Sequence, residues 1–178
     1  MKLFKFAPIL ALLIFTSCNT VRVASDYDSE AIFTEYNSFA FYKPGIDKAK
    51  ISDLDKKRIM RAIEAEMTTK GLMKSRNPNL LVSIFTKEQE RVDVYNNNFG
   101  YGWGWNPYWY GGNYGNTVIR STEGSLYIDL IDTKTNALVW QGVGTADLVT
   151  NNMEKKEQRI KEIVAKILAV YPPVSNPK

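Results

Sequence analysis

The first eighteen residues decide how much of this chain is available to fold. Lys2 and Lys5 give a basic start, an apolar run follows from Phe6 to Phe15, and Thr16 and Ser17 precede Cys18, the only cysteine in the chain. This is the architecture of a secretory signal peptide. The apolar run is too short to cross ~30 Å of hydrocarbon as a permanent helix. The expected division is therefore a signal peptide over residues 1–17, a single domain over 18–173 and a short tail over 174–178.

Small residues directly before a cysteine resemble the lipobox of bacterial lipoproteins, in which the thiol takes a diacylglyceryl group and cleavage leaves the cysteine first. Cys18 is then the lipid attachment site. A lone free thiol at the start of an exported domain would otherwise be a reactive liability without a partner. Each buried acyl CH₂ contributes ~0.8 kcal/mol of membrane affinity, so two or three chains hold a domain stably. Asn19, rather than an aspartate, follows the cysteine. The expected location is the outer membrane, with the domain facing the periplasm.

About 160 residues remain after cleavage, enough for one domain that buries roughly 70% of its unfolded surface. The chain has no histidine, and its one thiol is committed to the anchor. That excludes imidazole bases, thiolate nucleophiles and the common zinc ligand sets, and no cofactor is implied. The formal charge of +4 includes Lys2 and Lys5, which leave with the signal. No basic stripe survives to support a nucleic-acid partner.

Residues 21–28 read as a short extended segment ending in Asp26-Tyr27-Asp28. Asp26, Asp28 and Glu30 suggest a cation site, but the further ligands and the turn glycine of an EF-hand loop are missing. Phe39 to Tyr42 form a strand, and Pro44-Gly45 reads as the turn that ends it. Ser52 opens a helix with Asp55 as its capping partner; Ile59, Ala62, Ile63 and Met67 share one face, and Gly71 supplies a left-handed end. Lys56, Lys57, Arg58 and Arg61 form a basic cluster on the same helix, read as a solvated face or a contact for anionic lipid headgroups. From Leu80 to Phe85 apolar residues fall on both faces of a strand, which predicts two-sided burial. Polar residues take over from Lys87 to Asp93, so that end of the strand is expected to project into solvent.

Residues 96–116 read NNNFGYGWGWNPYWYGGNYGN and have neither helical nor strand periodicity. Glycine and asparagine make the backbone pliable, and the rings offer adhesive area with polar tips. Trp103, Trp105, Tyr108, Trp109 and Tyr110 are the candidate ligand-binding residues. Three partners suit such a loop: a glycan that stacks on the rings, a lipid interface, or an envelope protein. The plainer reading is a long connection that covers the sheet with its own rings. No phosphate loop is present, because no Gly-Lys-Ser/Thr ending or following helix appears.

Residues 118–132 alternate as a strand, with Leu126, Ile128 and Leu130 on one face and Tyr127, Asp129 and Ile131 on the other. Asp132 to Asn136 is turn chemistry, and Leu138 to Gly144 returns as the second strand of a hairpin. Gly142 and Gly144 share a face with Trp140, leaving room for its indole or for a helix packed closely on the sheet. Asp129 and Asp147 suggest an acid–base pair, as a hydrolase alternative. Asn151 caps the last helix with Glu154 reaching back, and Ile160, Ile163, Val164, Ile167, Leu168 and Tyr171 form its apolar stripe. Glu157–Lys161 and Glu162–Lys166 are favourable pairs on its outer side, and Pro172-Pro173 stops it.

With those elements placed, the chain resembles a bacterial lipoprotein family known only as a domain of unknown function, number 4136. The resemblance rests on Asp26-Tyr27-Asp28, Phe33, Tyr36 to Phe41, Asn77 to Val82, Gly124 to Asp132 and Leu138 to Gly142. It implies an envelope lipoprotein with a small α+β domain and brings no catalytic residues.

The expected fold is α+β, of order β-β-α-β-β-β-α, with a mostly antiparallel sheet and two helices on one face. The expected function is a membrane-anchored, non-enzymatic accessory or binding module of the envelope. A carboxylate hydrolase and a purely structural envelope protein are the alternatives.

Overall fold

The structure is a computed structural model and describes residues 21–95, 117–147 and 152–173. Six strands form one sheet: β1 (Arg22–Tyr27), β2 (Ser38–Phe41), β3 (Met73–Lys74), β4 (Leu80–Tyr95), β5 (Thr117–Asp132) and β6 (Leu138–Asp147). The helices are α1 (Lys43–Asp47), α2 (Asp53–Thr69) and α3 (Met153–Ala169), with a 3-10 turn at Phe33–Glu35. Across the sheet the strands run β1-β6-β5-β4-β2-β3.

The sheet is mixed, which corrects the mostly antiparallel expectation. β1–β6, β6–β5 and β5–β4 are antiparallel, but β2 pairs parallel with both β4 and β3. The cause is the connection. After β2 the chain passes through α1 and α2, and a helical crossover returns the next strand in the same direction, as a tight hairpin cannot. β3 and α1 are additions to the expected order. Pro44 and Gly45 lie inside α1 instead of forming a turn, with the proline in its first turn, where a missing N–H costs nothing. A Cβ on Gly45 would overlap the Ser83 hydroxyl of the neighbouring strand. Glycine therefore lets α1 lie against β4 just past the end of β2.

Both long helices cover one sheet face. Ile59, Ala62, Ile63 and Met67 of α2 and Val164, Ile167 and Leu168 of α3 are buried in one cluster. The sheet supplies Leu80, Val82, Ile84, Leu126, Ile128, Leu130 and Trp140 to it, the alternate residues expected from strand periodicity. Asp55 N–H donates to Ser52 Oγ at 3.1 Å, so Ser52 is the N-cap of α2. At its far end Gly71 has φ 87°, with Leu72 N–H on the Met67 carbonyl at 3.0 Å and Gly71 N–H on Thr68 at 2.9 Å. That is a Schellman end. In α3 the cap is Asn152, whose Oδ1 accepts from Lys155 N–H at 2.9 Å. The expected cap Asn151 lies outside the described residues.

On the opposite sheet face the short α1 lies against Ser83, which is buried, and neither long helix covers it. Leu81 is half-buried, whereas Phe85 is 52% exposed and leans on Tyr127 with ring centroids 5.6 Å apart. The two-sided burial expected for this strand holds at Leu81 and Ser83 and is lost at Phe85.

Candidate functional site

Strand register brings three features to one end of the domain. The first is a two-stranded ribbon. β4 and β5 pair continuously from Leu80↔Asp132 to Tyr95↔Thr117, but β6 accompanies β5 only as far as Glu123↔Asp147, and β2 leaves β4 at Val82. Beyond Gln89 and Glu123 the ribbon has no third strand among the described residues. Six further residues of β4, to Tyr95, carry it roughly 20 Å onward. The aromatic loop is joined covalently to its end. Trp103, Trp105, Tyr108, Trp109 and Tyr110 lie outside the described residues, so the structure places none of them.

The second feature is the entry of the chain. Arg22 pairs with Thr145, Thr145 with Ser125, and Ser125 with Lys87, so β1 starts level with the base of the ribbon. Arg22 Nη2 donates to Glu123 Oε2 at 2.6 Å across this end. Cys18 lies outside the described residues; three residues before Val21, it is at most ~11 Å from it.

The third is a cleft of about 200 Å³ where the helices stop and the sheet continues. Its floor is Thr86, Leu126 and the backbone at Gly124; its walls are Ile51 and Ile59 on the α2 side and Ile160 and Ile163 of α3. Asp55 and Lys156 stand at its rim. Asp55 collects most of the charge there. Its carboxylate accepts from Lys156 Nζ at 2.6 Å, Arg58 Nη1 at 2.7 Å and Ser52 Oγ at 2.9 Å. Burial pushes this carboxyl up, and the three hydrogen bonds outweigh burial and hold it below its ordinary value. The basic cluster is thus only partly a solvated face: the Lys56 and Arg58 side chains are 14% and 15% exposed. Pairing of Asp55 with both helices was not legible in sequence, where it served only as a capping residue.

The carboxylates of the hydrolase reading are kept apart. Asp129 lies on the open sheet face, where Gln141 Nε2 donates to it at 2.7 Å; burial raises its pKa and that bond partly offsets the rise. Asp147 is level with Glu123, six residues along β6 from Gln141 and so roughly 20 Å away. Asp26 and Asp28 accept from the backbone N–H groups of Tyr27 and Glu30, ordinary turn contacts, and no group of metal-ligating side chains occurs among the described residues. No described helix is long and apolar enough to cross a membrane.

Sequence reasoning used Asn79 only as part of the family motif and gave it no structural role. Its Oδ1 accepts from the N–H groups of Asn37 and Ser38 at 3.2 and 2.9 Å and from Ser38 Oγ at 3.0 Å. Its Nδ2 donates to the Glu35 carbonyl at 3.1 Å. It thus ties β2 to the start of β4. Tyr36 donates to Asp132 Oδ2 at 2.8 Å nearby, closing the same end of the sheet.

A family model described as Domain of unknown function (DUF4136) matches residues 23–173. No curated protein matches the chain significantly. Among solved structures, a PDZ domain protein from Parabacteroides distasonis ATCC 8503 superposes with a TM-score of 0.52 at 16% identity. That likeness covers 97% of this chain and 41% of the other, so the chain spans about two fifths of that protein's length. The PelC dodecamer from Paraburkholderia phytofirmans gives a TM-score of 0.48 at 12% identity, over 84% of this chain and 96% of that one. The first likeness extends to the fold alone.

Proposed function

The chain belongs to this family of unknown function, and we propose that it is a lipid-anchored, non-enzymatic binding module of the cell envelope that presents the aromatic loop on its β4–β5 ribbon. One observation carries the reading: β1 starts level with the ribbon's base, so the segment leading from Cys18 and the aromatic loop leave the domain at the same end. A tether of three residues reaches ~11 Å, whereas the ribbon runs roughly 20 Å beyond its last flanking strand. A domain held by Cys18 therefore keeps the loop within reach of the membrane to which it is anchored. The absence of histidine from the chain and the separation of Asp129 from Asp147 support a non-enzymatic role.

The test uses the chain purified from its native membrane. Mass spectrometry of the N-terminal peptide should show Cys18 acylated; an intact unmodified N-terminus refutes the anchor. Titration with vesicles, glycan fragments and envelope extract should give a signal that the substitutions Trp103→Ala, Trp105→Ala and Trp109→Ala together abolish. Trp140, which is fully buried, reports by its fluorescence that the fold survives. A signal indifferent to the triple substitution removes the loop from the site. Hydrolytic turnover abolished by Asp129→Asn would replace this reading with the enzymatic one.

A further inference from the structure

We propose that the cleft between the first turns of α2 and α3 and the base of the ribbon is a binding site for one fatty acyl chain. On the helix-covered face the row Ile84, Thr86 continues past the first helical turns, and on β5 Leu126 is followed toward the ribbon by Gly124, which has no side chain to fill the space. Above this floor Ile51, Ile59, Ile160 and Ile163 line the gap. The result is an open cleft of about 200 Å³, lined chiefly by carbon. A dry cavity of ~150 Å³ with a similar lining holds benzene, so this space is large enough for a hydrocarbon segment.

The class of occupant follows from where the chain outside the described residues begins. β1 enters two strands from β5, a lateral offset of roughly 10 Å at the level of Ser125. Cys18, at most ~11 Å from Val21, can deliver to the cleft one acyl chain of a diacylglyceryl group held by a thioether. A free fatty acid or a bilayer lipid offers the same hydrocarbon. Asp55 and Lys156 neutralise each other at the rim, so the entrance does not repel a neutral chain. The site is a property of described residues and requires no aromatic loop. Only the choice of Cys18 as the source of the chain rests on the lipoprotein reading.

The experiment measures displacement of a dansylated fatty acid from the mature chain carrying Cys18→Ser, which has no acyl group of its own. Hexanoate, octanoate, decanoate and dodecanoate are the competitors. Affinity should rise about fourfold per methylene while the cleft fills, then level off. Thr86→Trp, a half-buried floor position on the helix side, should weaken binding at least tenfold, with far-ultraviolet circular dichroism confirming the fold. Where that variant does not fold, Ile160→Trp fills the cleft from the helix wall. A lipidated chain that no longer takes up the probe identifies Cys18 as the source; one that binds it normally assigns the site to foreign lipid. No binding by the Cys18→Ser chain, binding independent of chain length, or full binding by a folded filled variant overturns the site. None of these failures touches the anchor, which the mass of the N-terminal peptide reports separately.

Discussion

The contact between α3 and β6 should not tolerate a single methyl group. At Gly142 a Cβ would overlap the Trp140 indole and meet Ile167 Cγ2; at Gly144 it would lie 2.8 Å from Ile167 Cγ1 and 3.1 Å from Ile163 Cγ2. Trp140 and Ile167 are both fully buried, so neither can swing aside into solvent. Glycine to alanine normally stabilises by ~0.4–1 kcal/mol through the unfolded chain when the backbone permits it. Here overpacking of about 1–3 kcal/mol opposes and exceeds that gain. Gly142→Ala should therefore destabilise by about 2 kcal/mol, and Gly144→Ala by somewhat less, because the methyls it meets are separated by a few tenths of an ångström more. Ile167→Ala alone should cost ~2–5 kcal/mol as a cavity. Combined with Gly144→Ala it should cost less than the sum, by at least ~1 kcal/mol, since each change relieves the other. Urea unfolding of the Cys18→Ser chain, followed by far-ultraviolet circular dichroism, measures this; with m near ~2 kcal/mol/M the first shift is about 1 M in midpoint. Gly142→Ala proteins as stable as the parent, or strictly additive doubles, would refute the close-packing argument.

Asp55→Asn should cost about 1–3 kcal/mol at neutral pH, because it weakens charge-assisted bonds from Lys156 and Arg58 at the rim of the cleft. Asp55 is held below its unfolded value, so the parent has this stability above the unfolded pKa of ~3.9 and loses it as pH falls through the folded value; the variant's acid limb should be shallower in pH-dependent unfolding. Asp129 has the opposite sign. Its folded pKa is raised, so ionisation costs stability as pH climbs above ~3.9, and Asp129→Asn should be more stable than the parent at pH 7 and no more stable in acid. Asn79→Ala leaves two backbone N–H groups of the 37–38 segment without their acceptor and should cost roughly 2 kcal/mol, with faster hydrogen exchange at Ser38. Replacing residues 90–122 by an Asn-Gly turn should leave the unfolding free energy within ~1 kcal/mol of the parent, because a ribbon with no third strand among the described residues contributes little by itself.

Local chemistry carried most of the elements but not their arrangement. The alternation around Leu126, Ile128 and Leu130, the stripes of Ile59 to Met67 and Val164 to Leu168, and the pairing of Gly142 and Gly144 with a close helix are each written in a few neighbouring residues, and each is found. The direction of β2 is not a local property. Its three paired residues read identically in either sense, and only the path through α1 and α2 makes them parallel to β4. Pro44-Gly45 misleads for a related reason: proline serves a turn and a first helical turn equally well, and the neighbour that decides, Ser83, is remote in sequence. Asn151 and Asn152 are chemically the same cap; only the bond from Lys155 N–H to Asn152 distinguishes them. The cleft had no sequence signal because it is made of missing coverage instead of a motif.

That missing coverage follows from arithmetic on element lengths. β4 and β5 are 16 residues each, roughly 54 Å of strand. α2 and α3 are 17 residues each, which gives only ~26 Å of helix. Two such helices lying along the sheet cover about half the length of its central strands, and the register decides which half. The core is centred on Leu80 to Ile84 and Ile128 to Trp140, so all the uncovered length falls beyond Lys87 and Ser125. Both helices begin at this boundary, since Asp55 and Lys156 pair across it at 2.6 Å. The ribbon and the cleft are therefore two aspects of one length mismatch: where the helices end, the strands must run on, and the apolar floor at Thr86 and Leu126 cannot be fully roofed. Sixteen-residue strands over seventeen-residue helices therefore leave one end of the sheet unroofed, and this is the end at which β1 begins.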